Sequence, residues 1–177
     1  MRRTIVVLAA SVTLLVPAFA GAAGEAWQAS EQQLVYEINL ARRDPAAFAG
    51  ALGFSGAGLL PRPPLALDDC LAATASFRAA DLADGAPFSH IASDGRWPNE
   101  IVRDNGYPLP RWWIDDANQV ESLASSSTFP WALILREHGI HLDHLLGQDG
   151  FVTHRQIGVG RDGYYSTIHT AYRDGDP

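Results

Sequence analysis

The stretch EHGIHLDHLLG at 137–147 sets His138, His141 and His144 three residues apart, holding half of the chain's six histidines. Imidazoles at that density suit two kinds of chemistry: ligation of a divalent metal, or proton transfer near neutral pH. The order Glu137-His138-Gly139 is not the H-E-x-x-H of a zinc helix, and Gly139 stands where such a helix would have to continue. If Gly139 closes one helix and Ile140 opens the next, His138 becomes a cation at a helix C-terminus. His141 and His144 then share one side of the following turn. His90 sits differently, in the loop PFSHIASDG directly after a helical run, where a rigid scaffold commonly presents reactive groups; a loop histidine bonded to backbone is the plain alternative. His154 and His169 are isolated in sequence and read as satisfied or surface residues rather than ligands. Tyr107, Trp112 and Trp113 form an aromatic run that serves either as a recognition surface or as a cover over the core.

Two other motifs carry no chemistry. GVGRDG at 158–163 matches a dinucleotide-binding pattern by letters, but a strand follows it where a phosphate-binding helix is needed. GFSGA at 53–57 misses the last glycine of a nucleophile elbow and lies in a proline-rich loop.

The elements that must position these residues are legible from periodicity. Ser30 and Gln33 suggest a capping box opening a helix with Leu34, Val35, Ile38 and Ala41 on one face. Asp44-Pro45 starts a short second helix through Ala51, and residues 53–66 read as loop. Asp68 and Asp69 begin the strongest helix, alanine-rich on its buried side, ending at Asp84-Gly85. A short helix spans Glu100 to Asp104. NQVESLA at 118–124 reads as a strand, 129–137 as an apolar helix, and RQIGVGRDGYYSTIHTAYR as two strands turning at Asp162-Gly163. Helices come early and strands late, which makes the class α+β with helices packed on a mostly antiparallel sheet.

Residues 1–20 carry two arginines, an apolar run and Ala18-Phe19-Ala20, the pattern of a cleavable signal peptide, too short to be a stable membrane anchor. Residues 21–29 form an unpatterned tail, and 30–174 one domain. Without the leader, eleven arginines face twenty acids and there is no lysine, which argues against nucleic acid as a partner. A single cysteine, Cys70, leaves stability to the core alone.

The order of LVYEINLARRDPAAFA, the PFSH segment, DGRWPNEIVRDNGYPLP, NQVESLA, HGIHLDHLLG and RQIGVG resembles the CAP superfamily, the cysteine-rich secretory, antigen 5 and pathogenesis-related proteins with their bacterial SCP-like members. The resemblance covers about residues 31–173 and implies a three-layer α-β-α sandwich. It also implies a cleft with a histidine–glutamate–glutamate–histidine tetrad, which in some members holds a divalent metal such as zinc. His90 matches the first histidine, Glu121 in VESLA the first glutamate, and His141 the second histidine. The second glutamate has no clean counterpart, with Glu137 the nearest carboxylate and His138 about where it should fall. A histidine common in the preceding helix of such proteins is Arg78 here. The expected function is a secreted or periplasmic binding or interaction module for an apolar small molecule or a protein, with zinc as the ion its cleft would take. The alternative is a metal-assisted extracellular hydrolase. Mass spectrometry of the exported product is expected to show a chain beginning near Gly21; an intact Met1 in a soluble cytoplasmic product would refute the leader.

Overall fold

The computed structural model describes residues 29–126 and 139–175. The leader, the apolar helix expected over 129–137, Glu137 and His138 lie outside the described residues. The elements run α1 (Ala29–Arg43), α2 (Pro45–Ala51), β1 (Ala66–Leu67), α3 (Asp69–Ala83), α4 (Pro98–Asp104), β2 (Glu121–Ser125), α5 (Ile140–Leu146), a 3₁₀ turn (Asp149–Phe151), β3 (Gln156–Asp162) and β4 (Tyr165–Ala171). The four strands form one sheet in the order β1-β3-β4-β2; β1 joins β3 in parallel, and the other two pairings are antiparallel.

Alternation along β3 sorts the two faces. Ile157 and Val159, with Ile168 of β4, meet Leu34, Val35 and Ile38 of α1 and Leu142, Leu145 and Leu146 of α5 in one apolar cluster. On the other face Leu71 of α3 joins Val102, Tyr107, Leu109, Val120 and Ala171 in a second cluster. Two helical layers on one sheet make the fold an α+β three-layer α-β-α sandwich.

The α3 layer lies unusually close to the sheet. A Cβ built on Gly158 would fall 2.0 Å from the Leu71 carbonyl carbon, and one on Gly160 would fall 2.2 Å from the Ser76 nitrogen. The alanines of α3 supply the other half of that approach, with Ala75 and Ala79 fully buried. Asp68 starts the helix by accepting hydrogen bonds from the Cys70 and Leu71 N–H groups at 3.0 and 3.1 Å.

Several sequence expectations shift in detail. Ser30 lies inside the first turn of α1, which begins at Ala29. The loop after Leu52 ends in the two paired residues of β1, because the Ala66 and Asp68 N–H groups donate to the Arg155 and Ile157 carbonyls. The strand read over 118–124 begins only at Glu121: the Asn118 carboxamide oxygen accepts from the N–H groups of Val120 and Glu121, an alternative to sheet pairing. Gly163, at φ +53°, and Tyr164 form the connection between β3 and β4, one residue beyond the expected turn. The aromatic run covers the core. Tyr107 is 1% exposed and hydrogen-bonds the Gln156 carboxamide, and Trp113 packs edge-on against Tyr172 at 5.3 Å, leaving Trp112 exposed.

Because the clash at Gly158 is with backbone, a side chain there forces the two layers apart. Gly158→Ala is expected to cost about 3 kcal/mol or more in urea unfolding, at or beyond the upper end for overpacking. A loss within 0.5 kcal/mol would mean the layers yield freely.

Candidate functional site

β2 lies at the edge of the described sheet, and its first two residues point to opposite faces. Glu121 turns toward α3 and Ser122 toward α5. Each holds one of two histidines, His90 and His141, that with His144 line a common cavity of about 190 Å³. His90 meets Glu121 Oε1 through Nδ1 at 2.9 Å, and His141 meets Ser122 Oγ through Nδ1 at 3.0 Å. The two imidazole rings are 6.4 Å apart, centre to centre, across the strand's edge.

On the α3 side Glu121 is 4% exposed and ringed by donors. Arg78 donates through Nε to Oε2 at 3.2 Å, and His169 Nε2, on the residue directly opposite in β4, lies 3.1 Å from the same oxygen. Thr74 Oγ1 backs the other nitrogen of His169 at 2.9 Å. Burial alone would push the Glu121 carboxyl up. Hydrogen bonds from His169 and His90, with the charges of His169 and Arg78, outweigh it and hold the group down at about 2. Arg78 also donates to the Ser89 carbonyl at 2.8 Å and pairs with Asp81, whose carboxylate in turn accepts from the Ser93 N–H at 3.1 Å. One guanidinium therefore fixes both the carboxylate and the loop that carries His90. Removing one member of so buried a pair costs roughly 3–5 kcal/mol, because the other charge is left without compensation.

On the α5 side a polar chain runs inward from the cavity. Ser122 Oγ is 2.7 Å from His144 Nδ1, His144 Nε2 is 2.6 Å from Thr170 Oγ1, and Thr170 Oγ1 is 2.6 Å from His154 Nδ1. His144 and His154 are buried at 2% and 0% exposure. Desolvation lowers the pKa of His144 well below its usual value, and neighbouring histidines add to the effect. Desolvation, with the Arg42 and Arg155 guanidinium groups, lowers that of His154 to about 3. Both rings are neutral at physiological pH.

His90, Glu121 and His141 thus meet at one cavity. His144 lines the cavity as well, while His169 and His154 lie buried behind it, hydrogen-bonded to Thr74 and Thr170 as satisfied residues rather than ligands. Sequence reasoning passed over Arg78, His169, Ser122 and Thr170. A signal existed for Arg78, which falls on the buried stripe of α3 with Leu71, Ala75 and Leu82 and so needs a buried partner. Among the described residues no group of three or more His, Cys, Asp or Glu side chains is placed to hold a metal ion. The Glu121 carboxylate is committed to Arg78, His169 and His90, so it braces His90 and is not available as a zinc ligand.

With the geometry in place, the fold can be compared with known structures. An extracellular protein containing an SCP domain, from Bacillus anthracis, superposes with a TM-score of 0.55 at 17% identity, covering 81% of this chain and 41% of that one. A cysteine-rich secretory protein from Staphylococcus aureus gives 0.47 at 12% identity, over 82% of this chain and 40% of that one. The chain therefore spans about two fifths of the length of these structures. No family model matches the sequence, and no curated protein matches it. The fold is that of an SCP domain.

The two buried histidines predict an acid weakness. The unfolded chain protonates each near 6.5 while the folded chain keeps them neutral. Their contribution is complete above 6.5 and is lost as pH falls, for His154 down to about 3. Each accounts for about 1.4 kcal/mol per pH unit in that window. Urea unfolding of His154→Phe between pH 6 and pH 4 is expected to show a slope shallower by that amount; an unchanged slope would mean His154 is charged in the native protein.

Proposed function

We propose that this chain is an exported CAP-fold binding module, whose edge cavity between His90 and His141 receives a polar group projecting from a larger extracellular ligand. The size of the cavity carries this reading. At about 190 Å³ it is well below the roughly 300–1,000 Å³ that encloses a drug-sized ligand. It suits a side chain or end group rather than a whole sterol or lipid. Ile91 and Ile140, each next to one of the two histidines in sequence, are exposed, as is Phe88, giving the mouth apolar neighbours for the remainder of the ligand.

The chemistry of the walls favours recognition over turnover. Ser122 is the hydroxyl nearest an imidazole at the cavity, but it is fully buried on a flat strand and held between two histidine nitrogens. A nucleophile needs access to the reacting carbon and donors for the oxyanion, and a strand interior offers neither. A zinc site of the hydrolytic kind needs three protein ligands with a fourth position open. The described residues supply two imidazoles and a carboxylate already engaged, which do not fit that ion.

The leaderless protein and its His90→Ala and His141→Ala variants provide the test, screened in parallel against peptides, glycans and lipids, with zinc titrated by calorimetry and a broad hydrolase panel. The expected result is ligand binding lost in both variants with melting temperatures close to wild type. Tight stoichiometric zinc together with zinc-dependent turnover, both lost in the same variants, would replace the binding module with a hydrolase.

A further inference from the structure

At the C-terminal end of α5 three arginines gather without an acid. Arg42 of α1 is fully buried, and carbonyls alone hold its guanidinium. Its Nε donates to Pro63 at 2.9 Å, Nη1 to Leu145 at 3.1 Å and Nη2 to His154 at 3.4 Å. Arg155 reaches the same His154 carbonyl through Nη1 at 3.1 Å, and the Val152 carbonyl through that nitrogen at 2.7 Å. Arg62 donates through Nε to the Gly147 carbonyl at 2.8 Å. Gly147 itself rests on Arg42: a Cβ there would fall 2.6 Å from Nη1, a measure of how closely the two pack. The three guanidinium groups are therefore neighbours, one fully buried and two half-buried.

Carbonyls satisfy the N–H groups but leave the charge. The end of a helix offsets about half a charge at most, against three here. None of the three enters an ion pair among the described residues, whereas Arg78, Arg96, Arg103, Arg111 and Arg173 all do. Burial first, then the charges of Arg155 and Arg62, bring the Arg42 pKa down to about 10. Each outer arginine spends one nitrogen on carbonyls, and the rest of its fork has no protein partner among the described residues. A fork tethered at one corner has less freedom left to lose when it meets a ligand.

We propose that Arg62 and Arg155, with the charge of Arg42 behind them, form a site for a phosphate group, carried as free phosphate or as an ester. A tetrahedral dianion offers oxygens in several directions, so two planar forks can engage it together. A carboxylate fills one fork and answers one charge. The chain as a whole carries a formal charge of −7, so the attraction is local and suits a single group rather than a polyanionic strand. None of the three residues lines the cavity between His90 and His141, and the site stands independently of the function proposed for that cavity.

The purified chain is titrated with inorganic phosphate and with glycerol 3-phosphate, against sodium chloride and sodium acetate at matched ionic strength, by calorimetry and by melting temperature. The expected result is saturable binding of a phosphate species, with a melting temperature above both salt controls. The tighter of the two probes tells the free ion from the ester, and either supports the site. Arg62→Gln and Arg155→Gln should each weaken binding about tenfold or more, the worth of one charge-assisted hydrogen bond. Arg155→Lys keeps the charge without the fork and should recover only part of the loss. Arg111→Gln removes an arginine whose side chain is 92% exposed and paired with Asp174, and should change nothing. All of these substitutions leave the enclosed Arg42 in place, so melting curves without ligand should stay close to wild type. Absence of saturable binding by either phosphate species, acetate binding as tightly as phosphate, or undiminished affinity in both glutamine variants would overturn the proposal.

Discussion

The close approach of α3 to β3 is the constraint on which the rest of this structure depends. Helix and sheet layers normally keep a side chain's thickness between them, and here Gly158 and Gly160 remove that thickness along one line of contact. The helix backbone settles against the strand, and the residues one turn further on are carried down to the level of the sheet. Thr74 and Arg78 thereby reach β4 and β2, where His169 and Glu121 stand opposite each other. A carboxylate with no solvent around it is tolerable only if its donors arrive together, and the seating of this helix brings them.

The same seating lets an arginine on the buried side of the helix use all of its donors. A guanidinium is planar, always charged and rich in donors, so Arg78 satisfies a carboxylate, a second acid and a loop carbonyl at once. A side chain with fewer donors would leave either Glu121 or the 89–93 loop without support. The edge of β2 is thus braced on one face by charge and on the other by a chain of hydroxyls and imidazoles.

Much of the architecture was legible from sequence because the helices keep clean periods and RQIGVG carries both an alternating apolar face and its glycines. His90, Glu121 and His141 could be picked out through the order of segments they belong to. The other members of the site were hidden for a physical reason. Buried polar residues in a strand look like surface residues until its partner and register are known, and STIHTA gives no sign that His169 will face Glu121 while Thr170 faces His144. The role of Ser122 depended likewise on a parity of one residue along β2. The aromatic run left two readings open in an irregular segment, and Tyr107 and Trp113 take the second, closing the core.

The strand order has a bearing on how this molecule comes into being. β3 and β4 occupy the middle of the sheet, yet among the described elements they follow all the others along the chain. The early helices have no surface to close on until that hairpin emerges, and the pairing of β1 with β3 spans ninety residues. Contacts so distant in sequence form slowly, because the entropy of closing the loop is lost before any packing is gained. In this topology the polypeptide has little to fold around until its last strands arrive.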